Sequence, residues 1–207
     1  AQCLVGSEMC IRDRYVLASH FHPDHFNKEV LQWREQRPDI IYIFSKDILR
    51  HRRAQKEDAV WLKKGEEYKD ETLSVRAFGS TDVGVSFLLQ ASGKKIFHAG
   101  DLNNWHWMDE STEAQWKGAE KNFLHELDDL YAYTPEVDVA MFPVDPRLGK
   151  EYMRGAGQFV TKIKTHIFVP MHFTPEYAKA NAFRDFAEAH GVRFVSLTHR
   201  GQKIEIE

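Results

Sequence analysis

Ser19-His20-Phe21-His22-Pro23-Asp24-His25 places three histidines and one aspartate in seven positions, directly behind the apolar run Tyr15-Val16-Leu17-Ala18. A short apolar run of this kind reads as a buried strand. The seven residues then form the loop at its C-terminal end, where several side chains can turn toward one point. Imidazole and carboxylate are good donors for zinc and similar divalent metals. A lone histidine here would read as part of a solvated loop. Four donors behind a strand read as a metal site, because the motif and its structural context agree. A catalytic metal keeps one position open for water. The same spacing can serve two metals, which lie ~3.5–4 Å apart in two-metal sites.

Outward from this loop, His20-x-His22-x-Asp24-His25 resembles the HxHxDH signature of the metallo-β-lactamase superfamily. Members of that family are mostly zinc-dependent hydrolases. The resemblance implies an α/β (α+β) fold, a sandwich in αββα layers. It also implies that His20 and His22 serve a first metal, and Asp24 and His25 a second. Phe97-His98-Ala99-Gly100-Asp101 resembles the family's strand-terminal Gly-Asp element, which carries the carboxylate bridging both metals. By itself, an Asp beside a Gly at a strand end also reads as a simple turn former. Thr165 to His172 reads as a strand ending in a histidine just before Thr174-Pro175, and the family takes its last metal-2 ligand from that place. The family's further metal-1 histidine is missing, because Ser80 stands at its place in Gly79-Ser80-Thr81-Asp82-Val83-Gly84. Asp82 is the candidate replacement, since carboxylate oxygen is an acceptable zinc donor. The second metal site is expected to be the tighter one. One or two Zn²⁺ ions are expected, with Mn²⁺ or Fe²⁺ also within range of the donors.

The chain has 207 residues, 43% hydrophobic and 29% charged, which is ordinary for a globular domain with a substantial core. A net charge of −3 offers nucleic acid no general attraction. No apolar run is long enough to span a bilayer. Both cysteines, Cys3 and Cys10, fall in the first ten residues, so the body lacks a disulfide, and a cytoplasmic setting fits. Residues 1–14 lack periodicity and resemble a translated adapter read-through, so they are set aside as a non-native leader. Residues 15–207 are expected to form one domain. The family places further strands before the HxHxDH loop, so one sheet is expected to lack its N-terminal strands and to expose an edge.

Along the chain, helices are expected over Phe26 to Gln36, from Ser45 to Arg52, from Ser111 or Thr112 to Tyr133, over Glu151 to Lys164 and over Glu176 to His190. Strands are expected over Ile40 to Phe44, Leu73 to Phe78, Val85 to Gln90, Lys95 to Ala99, Val137 to Pro143, Thr165 to His172, Arg193 to Leu197 and Lys203 to Ile206. His51, His125 and His199 read as surface residues, His98 as a structural histidine, and His166 as remote from the loop. Glu126, Asp128 and Asp129 read as a solvated helix face. Trp105 and Trp107 either line a substrate pocket or pack a corner, and His106 between them is a candidate proton donor or extra ligand. Asp145 and Arg147, behind another strand, could touch substrate but read more simply as a turn.

The function expected is hydrolysis of an ester, lactone, amide or phosphodiester bond in a small molecule by metal-activated water. Asp24 or Asp101 would orient the water and accept its proton, and His106 would protonate the leaving group. Within the family the chain looks most like the broad UlaG-like group, which includes sugar-phosphate lactonases. The alternative is a degenerate member that holds one metal or a ligand without turnover. A diiron redox enzyme is disfavoured by His22, where such members carry Glu.

Overall fold

In the computed structural model, which describes residues 15–173 and 175–204, the run Tyr15–Ala18 forms β1. It pairs in parallel with β2 (Ile41–Ser45), and β2 pairs in parallel with β3 (Val60–Leu62). The period of two along β2 sends Tyr42 and Phe44 to one face, onto Phe26 and Ile48, and Ile43 to the other, onto Val75 and Phe87. The first face is covered by α1 (Trp33–Gln36) and α2 (Lys46–Arg50).

A second sheet runs in the order β10-β9-β8-β7-β6-β5-β4. Its antiparallel half is β4 (Glu67–Lys69), β5 (Ser74–Phe78), β6 (Ser86–Ala91) and β7 (Lys94–His98). Its parallel half runs on from β7 through β8 (Glu136–Pro143) and β9 (Lys164–Met171) to β10 (Arg193–Phe194). Phe87 of β6 faces the small sheet, while Leu88 points the other way, into a core with Phe97, Phe142 and Phe168. Helices α3 (Glu113–Tyr133), α4 (Arg154–Lys162) and α6 (Arg184–Ala189) close that core with Phe123, Phe159 and Ala187. Three apolar seams therefore separate helix, sheet, sheet and helix, the αββα order expected. Among the described residues β1 and β3 are the two edge strands of the small sheet.

Several elements differ from expectation. The helix expected over Phe26 to Gln36 is a 3-10 turn, Lys28–Gln32, followed by α1. Asn27 is extended there, and its side chain accepts from Glu29 N, so the helix begins only after it. The helix expected from Glu151 begins at Arg154 and ends at Lys162, because Ile163 is extended and Lys164 N already donates to Pro135 O. The last expected helix divides into α5 (Tyr177–Asn181) and α6. Strands β3 and β4 were not anticipated; both are three residues long, and β4 is largely polar. The strand after Arg193 covers only two residues, and Lys203 and Ile204 lie outside any strand. The rest of that closing strand and the leader fall outside the described residues. Glu126 and Asp129 are not simply solvated, for both hold Lys64, which docks α3 onto the β3–β4 turn. Among the described residues no helix is long and apolar enough to cross a membrane.

Candidate metal centre

The strands of both sheets bring their C-terminal loops to one place. The loop after β1 carries His20 to His25, the loop after β7 carries Asp101, the loop after β8 carries Asp145 and the loop after β9 carries His172. The β5–β6 connection adds Asp82. This is where open α/β sheets commonly hold ligands.

Backbone contacts fix these loops against one another. Val85 N donates to Ser19 O at 3.0 Å, which lays the β5–β6 connection over the metal loop. Gly84, with φ +78°, permits that contact: a Cβ there would lie 2.1 Å from Ser19 O. Gly100, with φ +55°, is similarly pressed, for a Cβ there would lie 2.9 Å from Ser19 Cβ and Val85 O. Thr81 Oγ1 donates to Asn103 O and accepts from Asn103 N, tying the Asp82 loop to the Asp101 loop. Val144 N donates to Met171 O at 3.0 Å, which sets Asp145 beside His172. Phe21 is pinned to α2, its N–H on Asp47 Oδ2 and its ring stacked on His51.

Two groups of donors result, one of His20, His22, Asp82 and Asp101, the other of Asp24, His25 and His172, with the donor atoms in each within 4.8 Å of one another. Asp101 joins them. Its Oδ2 lies 3.4 Å from His20 Nε2, and its Oδ1 lies 3.1 Å from His25 Nε2 and 3.4 Å from His172 Nε2. Ser19 Oγ sits 3.1 Å from His20 Nδ1 and 3.3 Å from His25 Nδ1. A hydroxyl can accept from both ring N–H groups, which turns both Nε2 lone pairs toward Asp101. His172 is set the same way by a different partner: its Nδ1 is 2.9 Å from Asp145 Oδ2. Asp145 is only 1% exposed and also accepts from Arg147 N, Nε and Nη2.

The charges follow from this packing. Burial, and then the neighbouring His25, lower the His20 pKa to about 3, so its imidazole is neutral and free to donate a lone pair. Burial pushes the Asp101 carboxyl up, but His25, His20 and His172 outweigh it and leave the pKa at about 2. Asp145 likewise ends at about 2, because the hydrogen bonds from His172 and Arg147 overcome its burial. Burial opposes protonation of His172, yet its hydrogen bond to Asp145 and the charge of Asp101 raise its pKa.

A cation fits these residues. His20 Nε2 and Asp101 Oδ1 are buried and make no hydrogen bond. Each such orphan costs about 1–3 kcal/mol, a cost that coordination removes. The donors, imidazole nitrogen and carboxylate oxygen, are those of zinc-type centres.

Residues 12–173 match the profile of the beta-lactamase superfamily domain. The chain belongs to the metallo-β-lactamase superfamily. Its fold is similar to that of Igni18, a metallo hydrolase from Ignicoccus hospitalis, at 16% identity and TM-score 0.60, over 88% of this chain and 75% of that one. It is also similar to the metallo-beta-lactamase fold protein YhfI from Bacillus subtilis, at 10% identity and TM-score 0.60, over 93% and 79% of the two chains. A third similar structure is Zn²⁺-bound PqqB from Methylobacterium extorquens, at 15% identity and TM-score 0.51, over 88% and 70%. No curated protein matches the sequence.

Within this metallo-β-lactamase-type chain, the structure brings together His20, His22, Asp24, His25, Asp101 and His172, with Asp82 beside His22, but not His106, the candidate extra ligand. His106 stands apart. It belongs to neither donor group, and both its ring nitrogens are engaged, Nε2 with Glu151 O and Nδ1 with Met108 N. That geometry suits a structural histidine rather than a proton donor. Trp105 stacks on Trp107 and packs edge-on to His172, so the aromatic pair borders the centre. Sequence reasoning gives Ser19 no role, and it reads Asp145 as a turn residue that could touch substrate rather than as the partner behind His172. The available signals were a serine directly before the first histidine and another strand-terminal Asp, in the manner of Asp101. A cavity of about 560 Å³ between α3, α4 and α6 is lined by none of these donors.

Proposed function

We propose that this chain is a hydrolase that uses a zinc centre to cleave an ester, lactone, amide or phosphodiester bond in a small-molecule substrate. One observation carries the reading: Asp101 offers one oxygen to each of two histidine-containing donor groups, the geometry of a bridging carboxylate. His20, His22, Asp82 and Asp101 are the ligands proposed for the first metal, and Asp24, His25, Asp101 and His172 those for the second. A bound divalent metal supplies Lewis acidity and makes water a nucleophile near neutral pH. The protein's own part is positioning and proton transfer. Asp101 holds the two donor groups in register. Asp24, with its side chain 68% exposed, is open to incoming water and placed to accept a proton from it. Trp105 shields the His172 side of the centre.

A second reading, a protein that holds one metal without turnover, is favoured by one feature. His22 and Asp82 of the first group are 37% and 45% exposed, so that group is the more open to solvent. Elemental analysis of chelator-free protein after zinc saturation separates the readings. About two metals per chain is the two-metal arrangement, and Asp101→Asn should then lose both. One metal per chain would move the second reading ahead. Metal content unchanged in Asp101→Asn would remove the bridging role, and no metal at all would overturn the proposal.

A further inference from the structure

Arg147 stands at the rim of the metal centre without belonging to it. Its Nε and Nη2 bond Asp145 at 2.6–3.0 Å, and Nη2 lies 3.3 Å from His172 Nδ1. One edge of the guanidinium is thereby anchored on a buried carboxylate. The other end is open: Nη1 has no partner among the described residues, and the side chain is 65% exposed.

Positioning His172 requires only Asp145. A guanidinium adds something a point charge does not, a planar fork that can hold one oxyanion on one edge and a second on another. Because its first edge is already held, less rotamer entropy is lost when the second binds. The aromatic pair lies on the same rim. Trp105 touches His172, Trp107 stacks on Trp105, and the loop after Trp107 is stitched to the Arg147 loop where Asp109 Oδ2 accepts from Lys150 N.

We propose that Arg147 binds an oxyanion of the substrate, a carboxylate or a phosphate, and that the apolar part of this anionic substrate lies on Trp105 and Trp107. The inference rests on the hydrolase reading above for the word substrate, and on Arg147 alone for the anion.

The test uses zinc-loaded wild type, Arg147→Gln and Arg147→Lys, each with its metal content measured. Calorimetric titration with inorganic phosphate and with acetate reads anion binding directly. A neutral and an anionic p-nitrophenyl ester, the acetate and the mono-glutarate, read turnover. Arg147→Gln should weaken anion binding about tenfold and lower the anionic-to-neutral kcat/KM ratio by a similar factor, mainly through KM. The probe that loses more affinity identifies the group as carboxylate or phosphate. Arg147→Lys keeps the charge but not the fork, so it should still lose about threefold. If Arg147→Gln loses metal, Arg147→Lys decides. Affinities and ratio within about twofold of wild type at full metal content, a difference too small for a lost charged hydrogen bond, would overturn the inference. Arg147-dependent anion binding without ester turnover would keep the inference and remove the ester from the hydrolase reading; turnover and anion binding both indifferent to Arg147 would keep the hydrolase reading and overturn the inference.

Discussion

Asp145 is the residue on which the second donor group leans. It is buried, it takes the Nδ1 side of His172, and the hydrogen bonds from His172 and Arg147 keep it ionised. A carboxylate behind a ligating imidazole fixes the ring's tautomer and makes its other nitrogen a better donor. Ser19 does the same for His20 and His25 with a neutral oxygen, and so does not add to their basicity in the same way. Asp145→Asn keeps the size but loses the charge. It should lower affinity for zinc about 10–100-fold, measured by competition with a chromophoric chelator, while the fold is retained. Unchanged zinc affinity would mean that Asp145 serves Arg147 alone.

The elements matter through their ends. β1, β7, β8 and β9 all deliver donors or their supports from C-terminal loops, and the β5–β6 connection closes over them. That closure depends on Gly84, where the left-handed backbone and the absent Cβ are both required. Gly84→Ala should destabilise the protein by more than about 1 kcal/mol, read from urea unfolding. Because the same contact holds Ser19 and Asp82 in place, the variant should also bind less zinc. A normal unfolding midpoint would mean that the connection can shift without cost. The short helix α2 has a comparable role: its Asp47 and the following His51 hold Phe21, the residue between the first two histidines.

At the scale of the molecule, the two sheets are joined by more than apolar contact. Asp70 accepts from Tyr15 Oη on β1 and from Tyr68 Oη on β4, and from the backbone of Thr72 and Leu73. These bonds hold its carboxyl well below the usual range. A depressed carboxyl stabilises the fold above its unfolded pKa, and that contribution is lost as pH falls. Asp70→Asn, which cannot titrate, should therefore be less stable than wild type at pH 7, and the gap should narrow below about pH 4. Denaturant unfolding at the two pH values checks this, and a gap independent of pH would remove the role. Most strands and the main donors were legible in the sequence because they are local, an apolar run, a period of two, a dense cluster of histidines, and the layered order followed from the family resemblance those donors carry. His20 to His25 is one loop, and its spacing is written in consecutive residues. Strands β3 and β4 were not legible, being short and held by their neighbours rather than by their own composition. Nor was the work of Asp145, Ser19 and Arg147, or the inward commitment of His106. A side chain's role depends on which residues stand opposite it, and here those partners come from loops far apart in the chain. The sequence by itself determined the sandwich and the kind of atom that gathers at its rim. Only the tertiary structure decided which nitrogen faces inward, which partner stands behind each imidazole and which charge is left open to solvent, because those follow from distance and burial and not from order along the chain.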